Sequence, residues 1–129
     1  MNRIVNPEGL PEPIGFSHAV ESEGRRTLYV AGQIGETADG EIAADLVGQF
    51  RQALRNVAAC LEDAGYPVEA LVRLEIYTTD VPGYRQNLKE LGAVWREVFG
   101  RHYPAIALFG VTELFDPRAR IEVVATASL

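Results

Sequence analysis

The sequence ends in RARIEVVATASL, an apolar strand pattern that contains one misplaced charge. Glu122 stands between Ile121 and Val123, and no other side chain from there to the chain end can ionise. A carboxylate is costly to bury as an ion unless it is paired or hydrogen-bonded, and carboxylates in such settings often serve as general bases or position water. Glu122 is therefore the first candidate for chemistry. The alternative is a polar edge where Glu122 bonds Arg73 or another arginine.

The other residue types that commonly act in catalysis are scarce. His18 and His102 have no carboxylate close by in sequence to orient them, and adjacent Ser17 and His18 would point to opposite faces of a strand. Cys60 is the only cysteine, and it falls in an apolar helical pattern that indicates a small core residue. Zinc-type ligand spacings, phosphate-binding loops and nucleophile motifs are absent. The residue pattern therefore gives no sign of a zinc site.

Two helices should lie behind any site. Apolar residues step by 4, 4, 3 and 4 through Leu46, Phe50, Leu54, Val57 and Leu61, which predicts a helix over 43–64 ending at glycine and proline. Polar residues, Gln49 among them, are expected mostly elsewhere around this helix. A second apolar stripe predicts a helix over 84–99.

Five strands complete the prediction, while residues 1–15 are expected to be extended and largely irregular. The strands are expected at 17–21, 26–34, 70–79, 105–112 and 120–127. The first two should form a hairpin, since SEGR (22–25) is a turn signal. The order ββαβαββ predicts one α+β domain, residues 1–129, with a mixed sheet and both helices on one face.

The strands are apolar on both faces, although the helices can cover only one of them. Other copies of the chain are the natural cover, so the pattern predicts a homo-oligomer. The net charge of −6 disfavours general nucleic-acid binding. We expect no membrane association and a cytoplasmic location, because the sequence shows neither a signal peptide nor a transmembrane run.

Several segments stand in a fixed order along the chain: GQIG (32–35), DLVGQFRQALRNVAACLEDAG (45–65), YTTDV (77–81), WREVF (95–99), YPA (103–105) and IEVVATA (121–127). Together they resemble one family, the YjgF-like reactive intermediate deaminases, or Rid family. The resemblance spans most of the chain, from about Phe16 to Ala127. It implies a chorismate-mutase-like fold and a homotrimer whose sheets form a central barrel, with clefts between subunits. Typical members hydrolyse imines or enamines to a 2-keto acid and ammonia, so the resemblance implies that neither a metal nor an organic cofactor is needed.

The resemblance assigns roles by position. Glu122 matches the glutamate that holds or activates water. Ile106 stands where the family carries the arginine that binds the substrate carboxylate, Phe16 where it carries a tyrosine, and Ala31 where it carries a small polar residue. Gly92 is the nearest match to a cleft-lining asparagine. The remaining residues expected to line the substrate cleft are Ser17, Gly32, Trp95, Ala107 and Leu108.

These departures predict a divergent, cofactor-free hydrolase with an apolar cleft bordered by Phe16, Ile106 and Leu108, and with Glu122 at its base. Such a cleft favours a neutral or cationic small molecule, so 2-aminoacrylate hydrolysis is not expected. Two alternatives stay open: a non-catalytic ligand-binding or regulatory trimer, and a pathway-specific enzyme, for instance in natural-product assembly. A further hypothesis has Arg118 or Arg120 supplying the missing guanidinium.

Overall fold

The computed structural model describes residues 2–129, which form six strands and three α-helices. The strands are β1 (Asn2–Val5), β2 (Ala19–Ser22), β3 (Thr27–Ile34), β4 (Leu71–Thr78), β5 (Ala105–Gly110) and β6 (Ile121–Ser128). The helices are α1 (Leu46–Ala64), α2 (Val81–Gln86) and α3 (Leu88–Phe99), and a short 3-10 turn, Val68–Ala70, leads into β4. The predicted α+β class is confirmed.

The main sheet has the strand order β3-β6-β4-β5. β6 runs antiparallel to both of its neighbours, whereas β4 and β5 are parallel, so the sheet is mixed as predicted. The last strand of the sequence is therefore a central strand of the sheet. Glu122 lies on this strand between Tyr77 of β4 and Ile34 of β3.

The predicted hairpin between β2 and β3 is wrong. Residues 6–15 are irregular as expected, but the short strand β1 before them was not predicted. β2 pairs with β1, and β3 pairs with β6. The reason lies at the end of β6, where the backbone N–H groups of Arg25 and Arg26 both donate to the carbonyl oxygen of Leu129. A methyl group on Gly24 would overlap Ser128. The SEGR turn thus carries the chain across the end of β6 instead of folding it back.

The helix limits follow from capping. Asp45 accepts a hydrogen bond from the backbone N–H of Gly48 at the start of α1, and Gly65, with φ of 77°, ends it. The helix predicted over 84–99 begins earlier, because Asp80 caps the N–H of Gly83. It also breaks at Asn87, whose φ and ψ of −111° and 21° separate α2 from α3.

The core lies between the helices and one face of the sheet. Helix α1 packs on β3, β6 and α3. Alternate residues of the central strands point to this side and are buried: Leu74, Ile76, Ile121, Val123 and Ala125. The other face of the sheet, here called the open face, carries no helix in the described part of the chain. None of the helices within residues 2–129 has the length and apolar character needed to cross a membrane.

Gln49 is a buried polar residue that ties α1 to the loop before β6. Its side chain is 1% exposed, and its amide nitrogen donates to the carbonyl oxygens of Ala43 at 2.8 Å and Arg118 at 3.0 Å. Its amide oxygen accepts from the N–H of Arg120 at 2.7 Å. The expectation that Gln49 lies off the buried face was wrong. The residue positions the chain two residues before Glu122.

Replacing Gln49 tests this connection. We expect Gln49→Ala to lower the free energy of unfolding by about 2–4 kcal/mol, because a buried side chain and its three partly buried hydrogen bonds to the backbone are lost. Urea denaturation followed by circular dichroism measures the change. The control is Gln52→Ala on the same helix, whose side chain bonds Asn56, with an expected loss below about 0.5 kcal/mol. Equal losses in the two variants would contradict the assignment.

Candidate functional site

The Glu122 side chain lies on the open face, in the middle of the sheet. Neither a hydrogen bond nor an ion pair reaches its carboxylate from any side chain within residues 2–129. Arg73, the partner suggested by the alternative hypothesis, lies 3.6 Å from Glu75 instead. The strand order also excludes an edge position. The structure therefore gives a half-exposed carboxylate without a cationic partner in the described chain.

Gly32 makes the space for this carboxylate. The register between β3 and β6 shifts between Val30 and Gln33, which identifies a bulge at Ala31 and Gly32. A methyl group built on Gly32 would overlap a carboxylate oxygen of Glu122 and lie 2.8 Å from its Cδ atom. The bulge thus holds Glu122 against the bare backbone of Gly32, and Ala31 lies in the same bulge.

A tyrosine next to Glu122 was not among the predicted site residues. The Tyr77 hydroxyl donates a hydrogen bond to the Glu75 carboxylate, and its ring stacks on Phe109 with centroids 5.4 Å apart. This hydrogen bond, together with burial and the nearby charges of Glu75 and Glu122, raises the pKa of Tyr77. The phenol is therefore neutral at physiological pH. The alternation of polar residues along β4 was the available signal. Glu122, Gly32, Ala31 and Tyr77 are called the carboxylate half-site below.

Ile106 lies on the opposite face. It pairs with Leu74 in the register of β4 and β5, so it faces the helices and packs against the core. It lines a cavity of about 320 Å³, which we call the apolar half-site. The lining residues are Ile14, Gly15, Phe50, Ile76, Tyr84, Leu88, Leu91, Gly92, Trp95, Arg96, Tyr103 and Ile106. Of the residues matched to the cleft in the sequence analysis, Gly92, Trp95 and Ile106 lie together here; Tyr84 and Arg96 were not anticipated.

The segment before β2 closes one side of this cavity. Ser17 is buried, and its N–H donates to the Pro104 carbonyl at 3.0 Å while its hydroxyl donates to the Tyr103 carbonyl at 2.6 Å. The single hydroxyl proton is thus used within the fold, and Ser17 positions Ile14 and Gly15 at the cavity. The Phe16 ring packs edge-on against His18, with centroids 5.1 Å apart.

The remaining predicted residues divide between the two faces. Ala107 pairs with Glu75 and so lies on the open face, whereas Leu108 pairs with Ile76 and lies on the helix side. One chain therefore separates Glu122 from Ile106 by the thickness of the sheet. A cleft that contains both half-sites needs residues from two chains.

Arg118 and Arg120 are already engaged. Arg118 donates to Asp116 at 2.8 Å and to the Gly40 carbonyl at 3.1 Å, and its hydrogen bonds lower the pKa of Asp116. Arg120 forms an ion pair with Asp80, whose pKa is lowered first by the Gly83 N–H and then by Arg120. Each guanidinium has a carboxylate partner that it would have to leave to serve the cleft. In the described chain, no three potential metal ligands lie together.

Comparison with known proteins gives consistent matches over the full length. The family described as endoribonuclease L-PSP matches residues 10–129. A RutC-family protein of Pyrococcus horikoshii is 33% identical over 97% of this chain and 98% of its own. The crystal structure of a conserved Rid-family protein of unknown function from Yersinia pestis has a TM-score of 0.89 and 37% identity, covering 99% and 98% of the two chains. The Escherichia coli protein TdcF, a candidate reactive intermediate deaminase by name, is 28% identical over 99% of both chains, and its structure with bound serine has a TM-score of 0.69.

A double-mutant cycle tests the contact between Gly32 and Glu122. We expect Gly32→Ala to lower the free energy of unfolding by about 1–3 kcal/mol, because the added methyl group displaces the carboxylate or the strand. In a Glu122→Ala background the same change should cost less by about 1 kcal/mol or more. Gly9→Ala is the control, since its methyl group would meet no atom within 4 Å. Additive losses in the cycle would show that the two residues do not interact.

Proposed function

Because the chain belongs to the endoribonuclease L-PSP family, which includes RutC- and Rid-type proteins, we propose that it is a cofactor-free hydrolase. Its substrate is an imine, an enamine or a related small metabolite. The observation that carries the proposal is the Glu122 carboxylate, held over Gly32 without a cationic partner among the described residues. The E. coli relative named as a candidate reactive intermediate deaminase supports the reaction class.

The chemistry requires a base and a stabilised cation. A protonated imine is an electrophile at carbon, and a carboxylate beside it stabilises its positive charge. As a water molecule adds to that carbon, Glu122 accepts one of the water protons and returns it to the nitrogen. The resulting protonated carbinolamine then loses ammonia while its hydroxyl proton passes to Glu122, which leaves a carbonyl group, so water is consumed and the C–N bond is broken. No redox partner is needed.

We further propose that a neighbouring chain brings its apolar half-site to Glu122 in a homotrimer. The support is the open face, which exposes large apolar rings that a soluble chain normally covers. Tyr29, at the outer strand of the sheet, is 79% exposed, and Phe109 is exposed as well. The second reason for proposing the homotrimer is that Glu122 and Ile106 lie on opposite faces of the sheet, so one chain cannot bring the two side chains together.

The family name also mentions RNA cleavage, which we do not propose for this chain. The net charge of −6 would repel a phosphate backbone. Serine, bound to the E. coli relative in its structure, is not proposed as a model ligand either, because its side chain is polar and the residues around Ile106 in the apolar half-site are mostly apolar. The expectation that no nucleic acid binds stays a prediction.

The first test is catalytic. We expect imines generated in place by an amine or amino-acid oxidase to be hydrolysed faster in the presence of the protein, with ammonia release or semicarbazone trapping as the readout. Glu122→Gln should reduce the added rate by about 10²- to 10⁴-fold, because the proton acceptor is lost.

Glu75→Gln is the matched control, since Glu75 lies on the next strand of the same face and bonds Tyr77. It should keep most of the added rate. Equal loss in both variants would indicate a general effect on the sheet. If wild type and Glu122→Gln are indistinguishable across the imine panel, the hydrolase proposal fails. A metabolite that stabilises the protein and is recovered unchanged would then favour the ligand-binding or regulatory alternative.

The second test is assembly. We expect light scattering to give three times the 14.1 kDa of one chain. Tyr29→Asp should shift the protein toward smaller species, because it places a charge in the proposed interface. Ala93→Asp, on the exposed side of α3, is the control and should leave the mass unchanged. A wild-type protein of one-chain mass would contradict the two-chain cleft.

A further inference from the structure

Arg96 of α3 lines the apolar half-site together with Ile106. Its guanidinium folds back along the helix over Gly92, where a built Cβ atom would lie 3.4 Å from Nη1. Residues four apart on a helix lie one above the other, so a side chain that extends beyond Cβ at position 92 would meet the guanidinium. Glycine is unfavourable inside a helix, and here its absent side chain leaves room for the cation.

Arg96 also lacks a carboxylate partner within residues 2–129. The ion pairs of this part of the chain engage six other arginines, namely Arg3, Arg51, Arg55, Arg73, Arg118 and Arg120. The protein has 18 acidic side chains against 12 basic ones. A shortage of carboxylates therefore does not explain why Arg96 has no partner. The geometry therefore leaves an unneutralised guanidinium beside a largely apolar cavity.

The rest of the cavity offers an apolar body and one further donor. Leu88, Leu91 and Trp95 line it on the side of α3. Tyr84 lines it from α2, and burial raises the pKa of its hydroxyl to about 12. The phenol therefore stays protonated at physiological pH, and its hydroxyl has no hydrogen-bond partner in the described chain.

We propose that Arg96 is the ligand-anchoring residue of this cavity, and that the ligand is a small organic acid with an apolar body. The guanidinium accepts the carboxylate through paired N–H donors, a geometry that suits arginine. The apolar body lies between Trp95, Leu91 and Ile106. A volume of about 320 Å³ is at the small end of ligand sites and fits a ring or a branched chain better than a peptide.

This inference rests on the proposed function only for the reaction, since binding is a property of one chain's cavity. It changes the expected ligand, because the replacement of arginine by Ile106 predicted a neutral or cationic molecule. The cation is supplied instead from the helix. An imino acid with an apolar side chain would then present its carboxylate to Arg96.

Calorimetric titration with phenylacetate and with phenylacetamide separates charge from shape. We expect wild type to bind the acid at least about tenfold more tightly than the amide, since a charge-assisted hydrogen bond is replaced by a neutral one. Arg96→Gln should weaken acid binding by about ten- to a hundredfold and leave amide binding unchanged. Arg96→Lys should lose only part of the affinity for the acid.

Two controls make the outcome specific. Arg101→Gln removes another exposed arginine that does not line the cavity and should leave both affinities unchanged. Gly92→Leu should weaken the binding of both acid and amide, unlike Arg96→Gln, because its side chain also fills part of the cavity that Gly92 lines. Equal binding of acid and amide, no binding of either, or an unaltered Arg96→Gln variant would each overturn the proposal.

Glu122→Gln distinguishes this inference from the proposed function. It should reduce hydrolysis by about 10²- to 10⁴-fold, as above, without weakening acid binding. If Glu122→Gln has no effect on the reaction while Arg96→Gln still weakens acid binding, the hydrolase proposal fails and the anchoring role of Arg96 stands. If hydrolysis depends on Glu122 but acid binding ignores Arg96, the reverse holds.

Discussion

The central position of β6 is the constraint on which the candidate site depends. This strand is hydrogen-bonded along both edges, so its side chains can only alternate between the core and the open face. Burying Ile121 and Val123 places Glu122 on the open face, and a slip of one residue would drive the carboxylate into the core. Gln49 holds the chain just before β6 from the helix side. The register of β6 therefore determines both the packing of the core and the position of the charge.

The same alternation links assembly to reactivity. Glu122 is tolerated without a partner because the open face leaves it in contact with water. A second chain covering that face would remove water from the carboxylate, and removal of water strengthens its attraction for a bound cation. The exposed Tyr29 and Phe109 rings supply the apolar area that would favour such covering. The interface and the site would then arise from the same face, and a separated chain would hold only half of each.

Periodicity and chain-ending residues were sufficient to predict the main elements. The apolar stripe of α1 with Gly65 after it, and the β-rich runs of the main sheet, all form close to their expected limits. The N-terminal pairing could not be predicted, because it depends on Leu129 accepting hydrogen bonds from Arg25 and Arg26 across nearly the whole chain. A contact so distant in sequence leaves no local pattern. The buried position of Gln49 was not predicted for a related reason, since its three hydrogen-bond partners lie in two loops.

The residues of the candidate site also differ in whether the sequence alone could identify them. Glu122 and Ile106 were identifiable because each stands at a position marked by neighbouring motif residues, whereas Arg96 belongs to a helix surface where arginine is ordinary. Its significance appears only when Gly92, one turn earlier, and Ile106, on a strand, are seen to share a cavity. A ligand responds to the electrostatic field inside that cavity. A guanidinium contributes to this field in the same way whether a helix or a strand carries it. An arginine lost from a strand is therefore weak grounds for concluding that its pocket is neutral; the side chains lining the whole pocket decide its charge.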